Sequence, residues 1–89
     1  MNYKELIEHV IGNAIIYAEE YSKKEKLSEY EKGILNGLWM DVDSINNRLE
    51  IEKFNGNEKK ATKLQNELEL EKIMDNLRKL FWEWKLLIL

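Results

Sequence analysis

The 89-residue sequence lacks several residue types that would direct it toward a particular chemistry. It contains no cysteine and no proline, and only four glycines and one histidine. Without cysteine it can form neither a disulfide framework nor a thiolate metal site, and the reducing cytoplasm is the expected compartment. Without proline, and with so few glycines, a helical chain meets almost none of the residues that usually interrupt helices.

Catalytic motifs are equally scarce. His9 has no cysteine to activate and no second histidine at metal-ligand spacing. No serine stands in a Gly-x-Ser-x-Gly context, and no glycine-rich phosphate loop is present. We therefore expect a chain that is not an enzyme and that uses no cofactor and no metal.

One short segment is compatible with a metal-dependent enzyme. The run Glu5-Leu6-Ile7-Glu8 resembles the first Glu-x-x-Glu half of the metal site of the MazG-type all-α nucleotide pyrophosphohydrolases. That resemblance implies carboxylates holding magnesium. The later Glu-x-x-Asp of that family has no counterpart, because Glu71 and Asp75 lie four residues apart. The resemblance covers four residues, and a solvated helix face is the alternative interpretation.

Charge and hydropathy limit the classes of partner. The net charge is −3 and the pI is near 5.2, so we expect no direct contact with nucleic acid, whose binding depends on clustered Lys and Arg. The apolar run of residues 77–89 carries charges and is shorter than the roughly 17–25 residues of a membrane span. It could at most lie at a membrane interface. No signal-peptide pattern opens the chain, which again favours the cytoplasm.

Periodicity and capping signals predict three helices, over about residues 2–23, 29–54 and 58–88. Asn2 with Glu5, and Ser28 with Glu31, have the spacing of capping boxes that open the first two helices. The first helix has a wide apolar face, formed by Tyr3, Leu6, Ile7, Val10, Ile11, Ala14, Tyr17, Ala18 and Tyr21. The second has a narrower one, formed by Leu35, Leu38, Val42, Ile45 and Leu49 and widened by Ile34 and Trp39.

The end of the second helix and the course of the third are less regular. Gly56 is expected to take the left-handed conformation that closes a helix, and Asn57 to cap the next one. In the third segment the apolar residues before Glu69 lie on one side of the helix and most of those after it lie on the opposite side. Either the helix bends there, or its two halves contact different neighbours.

The second helix also carries a second set of small and apolar residues opposite its core face. The set consists of Gly33, Gly37, Met40, Ser44 and Ile51. A glycine inside a helix costs about 1 kcal/mol relative to alanine, so the two glycines favour close packing against another backbone or a bulky side chain. The alternative is that both glycines are neutral choices in a stable helix.

The C-terminal residues are apolar nearly all round. We predict partner contacts from the aromatic and leucine side chains there and from one tryptophan of the second helix: Phe81, Trp82, Trp84, Leu86, Leu89 and Trp39. Three coverings are open for the C-terminal set: the core of the chain itself, a second copy, or a different partner.

The sequence therefore predicts an all-α domain over residues 1–89, either a three-helix bundle or a helical hairpin with a long C-terminal helix, completed by dimerisation. We expect it to bind a protein partner or itself as a regulator or inhibitor. Its Lys, Asn, Ile and Glu content is typical of an AT-rich bacterial or phage genome, and a host or defence protein is the expected target. A structural or immunity-type bundle with peripheral membrane association, and a carboxylate-metal nucleotide hydrolase, are the alternatives.

Overall fold

A computed structural model describes the backbone of residues 3–88 and the side chains of residues 4–80. Within that range the chain forms four α-helices and no strand: α1 (Tyr3–Ser22), α2 (Glu29–Glu52), α3 (Glu58–Glu67) and α4 (Leu70–Ile88). Helices α1, α2 and α4 pack against one another as a bundle, and the short α3 packs on α2 and contacts α4. The prediction of an all-α, bundle-like fold is confirmed.

The core lies between α1, α2 and α4 and consists of apolar side chains. Its buried members are Ile11, Ala14, Tyr21, Leu27, Leu35, Val42, Leu70, Ile73 and Leu77. The predicted core face of α2 is confirmed, because Leu35 and Val42 are fully buried and the other positions of that face pack against them. Leu6 was predicted to face the core and is instead half-exposed. It lies about 90° around α1 from the centre of the buried face, so that face is narrower than predicted.

Helix α2 begins with the predicted capping box. The Ser28 hydroxyl accepts a hydrogen bond from the Glu31 backbone N–H at 3.1 Å, and the Glu31 carboxylate accepts one from the Ser28 N–H at 2.9 Å. The Lys24 ammonium forms an ion pair with the same carboxylate. The hydrogen bond from Lys24, followed by that from the Ser28 backbone, lowers the pKa of Glu31. The first capping box, predicted at Asn2, lies outside the described residues.

Acid is expected to weaken the fold through Glu31. Because the pKa of Glu31 is lowered from 4.5 on folding, its stabilising contribution is complete above that value and is lost as the pH falls through the folded pKa. Glu31→Gln does not titrate, so we expect it to lose less stability than the wild type between about pH 6 and about pH 3. Urea unfolding at both pH values measures this. Equal losses in the two proteins would contradict the prediction.

A wide turn, Lys53–Asn57, follows α2. Gly56 has a φ of 89°, the left-handed conformation predicted for the helix end. The predicted capping role of Asn57 is wrong: its side chain makes no capping hydrogen bond to α3 and donates instead to the Glu52 carboxylate at 2.7 Å. A capping residue accepts a backbone N–H with its side-chain oxygen, typically from an extended backbone conformation, whereas the Asn57 backbone has a φ of −106° and a ψ of 30°.

The third predicted helix is in fact two helices, α3 and α4. Glu69 adopts a φ of 52°, and its N–H donates to the carbonyl of Asn66 at 3.2 Å, so the regular helix ends there. This break resolves the change of sides in the sequence, because each half buries its own apolar set. Ala61 of α3 is buried apart from the main core, whereas α4 contributes Leu70, Ile73 and Leu77 to that core. One continuous helix over residues 58–88 is therefore wrong, and the bend near Glu69 is confirmed.

Glu69→Gly is expected to raise the free energy of unfolding by about 1 kcal/mol, because glycine occupies the left-handed region without the steric cost of a Cβ atom. In one straight helix the same change would lower that free energy by about 1 kcal/mol. Lys63→Gly, in the middle of α3, is the matched control and should be destabilising. Urea unfolding gives both values, and a destabilised Glu69→Gly protein would argue against the break.

Helix α3 is fixed to α2 by polar side chains. The Gln65 amide donates to the Asn46 side-chain oxygen at 3.0 Å and to the Glu50 carboxylate at 2.9 Å. The hydrogen bond from Gln65, followed by that from Lys53, lowers the pKa of Glu50. Sequence reasoning missed these contacts, because single polar residues on separate helices carry no periodic signal.

Candidate interaction surface

The side of α2 that points away from the bundle forms a continuous surface, which we name the outward face. Its eight residues follow alternating steps of three and four: Tyr30, Gly33, Gly37, Met40, Ser44, Asn47 and Ile51 on α2, and Phe54 in the wide turn that follows it. All eight are exposed. This spacing, which keeps side chains on one stripe of a helix, is the one used to pack against a partner helix.

Four large apolar side chains make up most of this surface. Tyr30 is 78% exposed, Met40 56%, Ile51 49% and Phe54 91%. Scattered exposed apolar residues are ordinary, but three of them on one stripe of α2, with a fourth in the turn that follows, are a pattern typical of interaction sites. Sequence reasoning found Met40 and Ile51 and missed Tyr30 and Phe54. Extending the same spacing by one step at each end would have found both.

The two glycines lie between these large residues. A Cβ atom added at Gly33 or at Gly37 would meet nothing within 4 Å. The close neighbour that the sequence predicted for them is therefore not supplied by the described part of this chain. The surface is shallow at these two positions, and a bulky side chain of another molecule would have room there.

The polar residues of the outward face hydrogen-bond within their own helix. The Ser44 hydroxyl donates to the carbonyl of Met40 at 2.9 Å, and the Asn47 amide donates to the Asp43 carboxylate at 3.3 Å. Burying a polar group is costly chiefly when it loses its hydrogen-bond partner. Because these partners lie on α2 itself, another helix can cover this face without breaking those bonds.

Charged residues line both flanks of the outward face. Asp41 and Arg48 are exposed on one flank, and Arg48 forms an ion pair with Glu52 at 3.2 Å. The other flank carries acidic residues, Glu29, Asp43 and Glu50. Both signs are therefore present beside the apolar stripe, so the flanks can select the orientation of a partner.

A second apolar surface lies between α1 and α4. It is a groove of about 340 Å³ whose apolar lining comes from Ala14, Ile15, Ala18, Ile73 and Leu80. Polar side chains, among them Glu19 and Lys79, also line it. Ile15 is its half-exposed member. Unlike the outward face, its described lining holds one large exposed apolar side chain rather than a series.

Of the remaining predicted contact residues, Trp39 alone has a described side chain. Trp39 packs against the core, and its indole N–H has no hydrogen-bond acceptor among the described residues. The side chains of Phe81, Trp82, Trp84, Leu86 and Leu89 lie outside the described residues. Their predicted roles, and that of Trp39, stay predictions. No described helix has the length and apolar composition required to cross a membrane.

The carboxylates of the predicted metal site are both on the surface. Glu5 and Glu8 are exposed on α1. Among the side chains of residues 4–80, no group of three or more His, Cys, Asp or Glu residues could hold a metal ion. His9 is also exposed and contacts the Asn13 amide at 3.4 Å.

Comparison with known proteins adds no family. No family model, no curated protein and no solved structure matches this chain. The outward face of α2 is therefore the strongest basis for a functional argument.

Proposed function

We propose that this chain is a small, non-enzymatic protein-interaction module, a regulator or inhibitor, that binds another helix through the outward face of α2. The observation that supports this most is the series of four large apolar side chains exposed at helical spacing. Burying apolar surface contributes about 25 cal/mol per Å², and helix recognition commonly uses anchors at such spacing. The partner therefore gains its affinity from Tyr30, Met40, Ile51 and Phe54.

The glycines support a helix as the partner. Each costs about 1 kcal/mol in the helix interior, and within the described residues no neighbour packs against it to offset that cost. A partner helix that approaches closely at Gly33 and Gly37 would offset it through van der Waals contact. The polar residues of this face keep their hydrogen bonds during such an approach.

The other functions predicted from the sequence have less support from the described residues. Membrane association through the C-terminal tryptophans and leucines depends on side chains outside the described residues. The carboxylate-metal hydrolase depends on Glu5 and Glu8, which the structure leaves on the surface. A host or defence protein as the target rests on amino-acid composition alone.

Site-specific photo-cross-linking tests the proposal. A photoreactive phenylalanine analogue at Met40 is expected to yield one defined adduct in cells, whereas the same analogue at Ile16, exposed on α1, should yield none. Gly37→Leu in the Met40-labelled chain should abolish the adduct. This variant fills open space and replaces glycine with a better helix former, so its fold should be at least as stable. Absence of any adduct from Met40, or the same adducts from both positions, would refute the proposal.

A further inference from the structure

We propose that the occupant of the outward face is a second copy of this chain, packed antiparallel on α2 with a two-fold axis at the level of residue 42. This inference rests on the function proposed above and names its partner. Its support is that the outward face is complementary to itself in side-chain size in this orientation.

Size complementarity follows from the register. In the antiparallel arrangement each inner layer of the pair places a small residue against a larger one. The layers within α2 are Gly33 with Ile51, Gly37 with Asn47 and Met40 with Ser44, each occurring twice by symmetry. The space that is open beside Gly33 receives Ile51 of the copy.

A parallel pair would fill the same surface poorly. Each residue would then face its own copy, so Gly33 would meet Gly33 and Gly37 would meet Gly37. Large side chains would meet at Tyr30 and Ile51. The large layers would hold the helices apart and leave voids at the glycines, and such voids are destabilising. In the antiparallel pair the combined side-chain size varies less from one layer to the next.

One flank adds a favourable charge pair across the antiparallel interface. Asp41 of one chain and Arg48 of the other are about 7.5 Å apart along the helix axis. Side chains on a helix lean toward the N-terminus of their own helix. In antiparallel helices these two side chains therefore lean toward each other. Arg48 is well exposed, with 71% of its side chain accessible, and it is long enough to reach the carboxylate.

The opposite flank carries an unfavourable pair. Asp43 lies about 3 Å along the axis from Asp43 of the copy, and the two side chains lean together. In a parallel pair, by contrast, Asp43 would face Arg48 of the copy. Removing the Asp43 charge thus has opposite effects in the two orientations: it tightens an antiparallel dimer and weakens a parallel one.

Cysteine cross-linking tests the orientation without background, because the chain has no cysteine of its own. In the antiparallel pair residue 33 of one copy faces residue 51 of the other, whereas two residues 33 are about 27 Å apart along the axis. A short bis-maleimide should therefore join Gly33→Cys to Ile51→Cys only when the two variants are mixed. Neither variant should cross-link alone, and Ile16→Cys should not cross-link with Ile51→Cys. Cross-linking of each variant by itself, or none in the mixture, would overturn the proposal.

Sedimentation equilibrium of the wild-type chain and two charge variants gives an independent test. We expect the dimer dissociation constant to fall about two- to fivefold in Asp43→Asn and to rise by a similar factor in Arg48→Ala. A weaker Asp43→Asn dimer, or a wild type that stays monomeric at every concentration, would overturn the proposal. The photo-cross-link at Met40 distinguishes failure of the proposed function from failure of self-pairing. An adduct with a different protein supports the proposed function and rejects self-pairing, whereas the absence of any adduct rejects both.

Discussion

Leu35→Ala should lower the free energy of unfolding by about 2–5 kcal/mol, whereas Met40→Ala should change it by no more than about 0.5 kcal/mol. The two residues have similar size and lie on the same helix. Leu35 is fully buried in the bundle core, so its truncation leaves a cavity among closely packed side chains. Met40 is more than half exposed and leaves none. Urea unfolding followed by circular dichroism measures both changes.

Protein concentration has to be kept low in that comparison. If α2 pairs with a second copy, Met40 becomes partly buried in the dimer, and its truncation then lowers the apparent stability at high concentration. Leu35→Ala should be equally destabilising at all concentrations. Equal effects of the two substitutions at low concentration would mean that α2 does not present the core face described here.

The structure shows which features of the fold the sequence signals predicted correctly. Ser28 with Glu31 marked the start of α2, and Gly56 marked the turn after it, because these signals act through nearby backbone atoms. The core face of α2 followed from periodicity alone. The outward face followed from the same helical geometry, since a helix with one regular buried face has a defined opposite side.

Other features depended on contacts that no local pattern encodes. Glu69 enters the left-handed region although it is not a glycine, so the sequence indicated a bend there but contained no residue type that ends a helix. Asn57 was expected to cap α3 and instead binds the Glu52 carboxylate. The position of α3 on α2 depends on Gln65, whose partners lie on another helix.

The break at Glu69 also gives the two C-terminal helices different roles. Helix α3 is linked to α2 by the hydrogen bonds of Gln65, whereas α4 contributes three of the buried core residues. The break lets α4 place its apolar face between α1 and α2, which one straight helix could not do while also burying Ala61. The bundle thus leaves the outward face of α2 uncovered.

Leu77→Asp should have a larger effect than any truncation discussed above and should abolish cooperative unfolding. Leu77 is fully buried, so the substitution removes an apolar side chain and places a carboxylate among apolar ones without a partner. Its cost exceeds the about 2–5 kcal/mol of a leucine truncation, in a domain whose total stability is on the order of 5–15 kcal/mol. Thermal unfolding followed by circular dichroism, compared with the wild type, shows whether a transition remains.

Asn76→Asp is the matched control, because it places the same carboxylate one residue earlier on the exposed side of α4. It should unfold within about 0.5 kcal/mol of the wild type. If Leu77→Asp unfolded in the same way as this control, α4 would lie outside the core and the stable unit would be the α1–α2 pair. The surface of α2 that α4 covers would then also need a partner. If the cooperative transition is lost only in Leu77→Asp, α4 covers that surface, and the outward face is the main uncovered surface of α2.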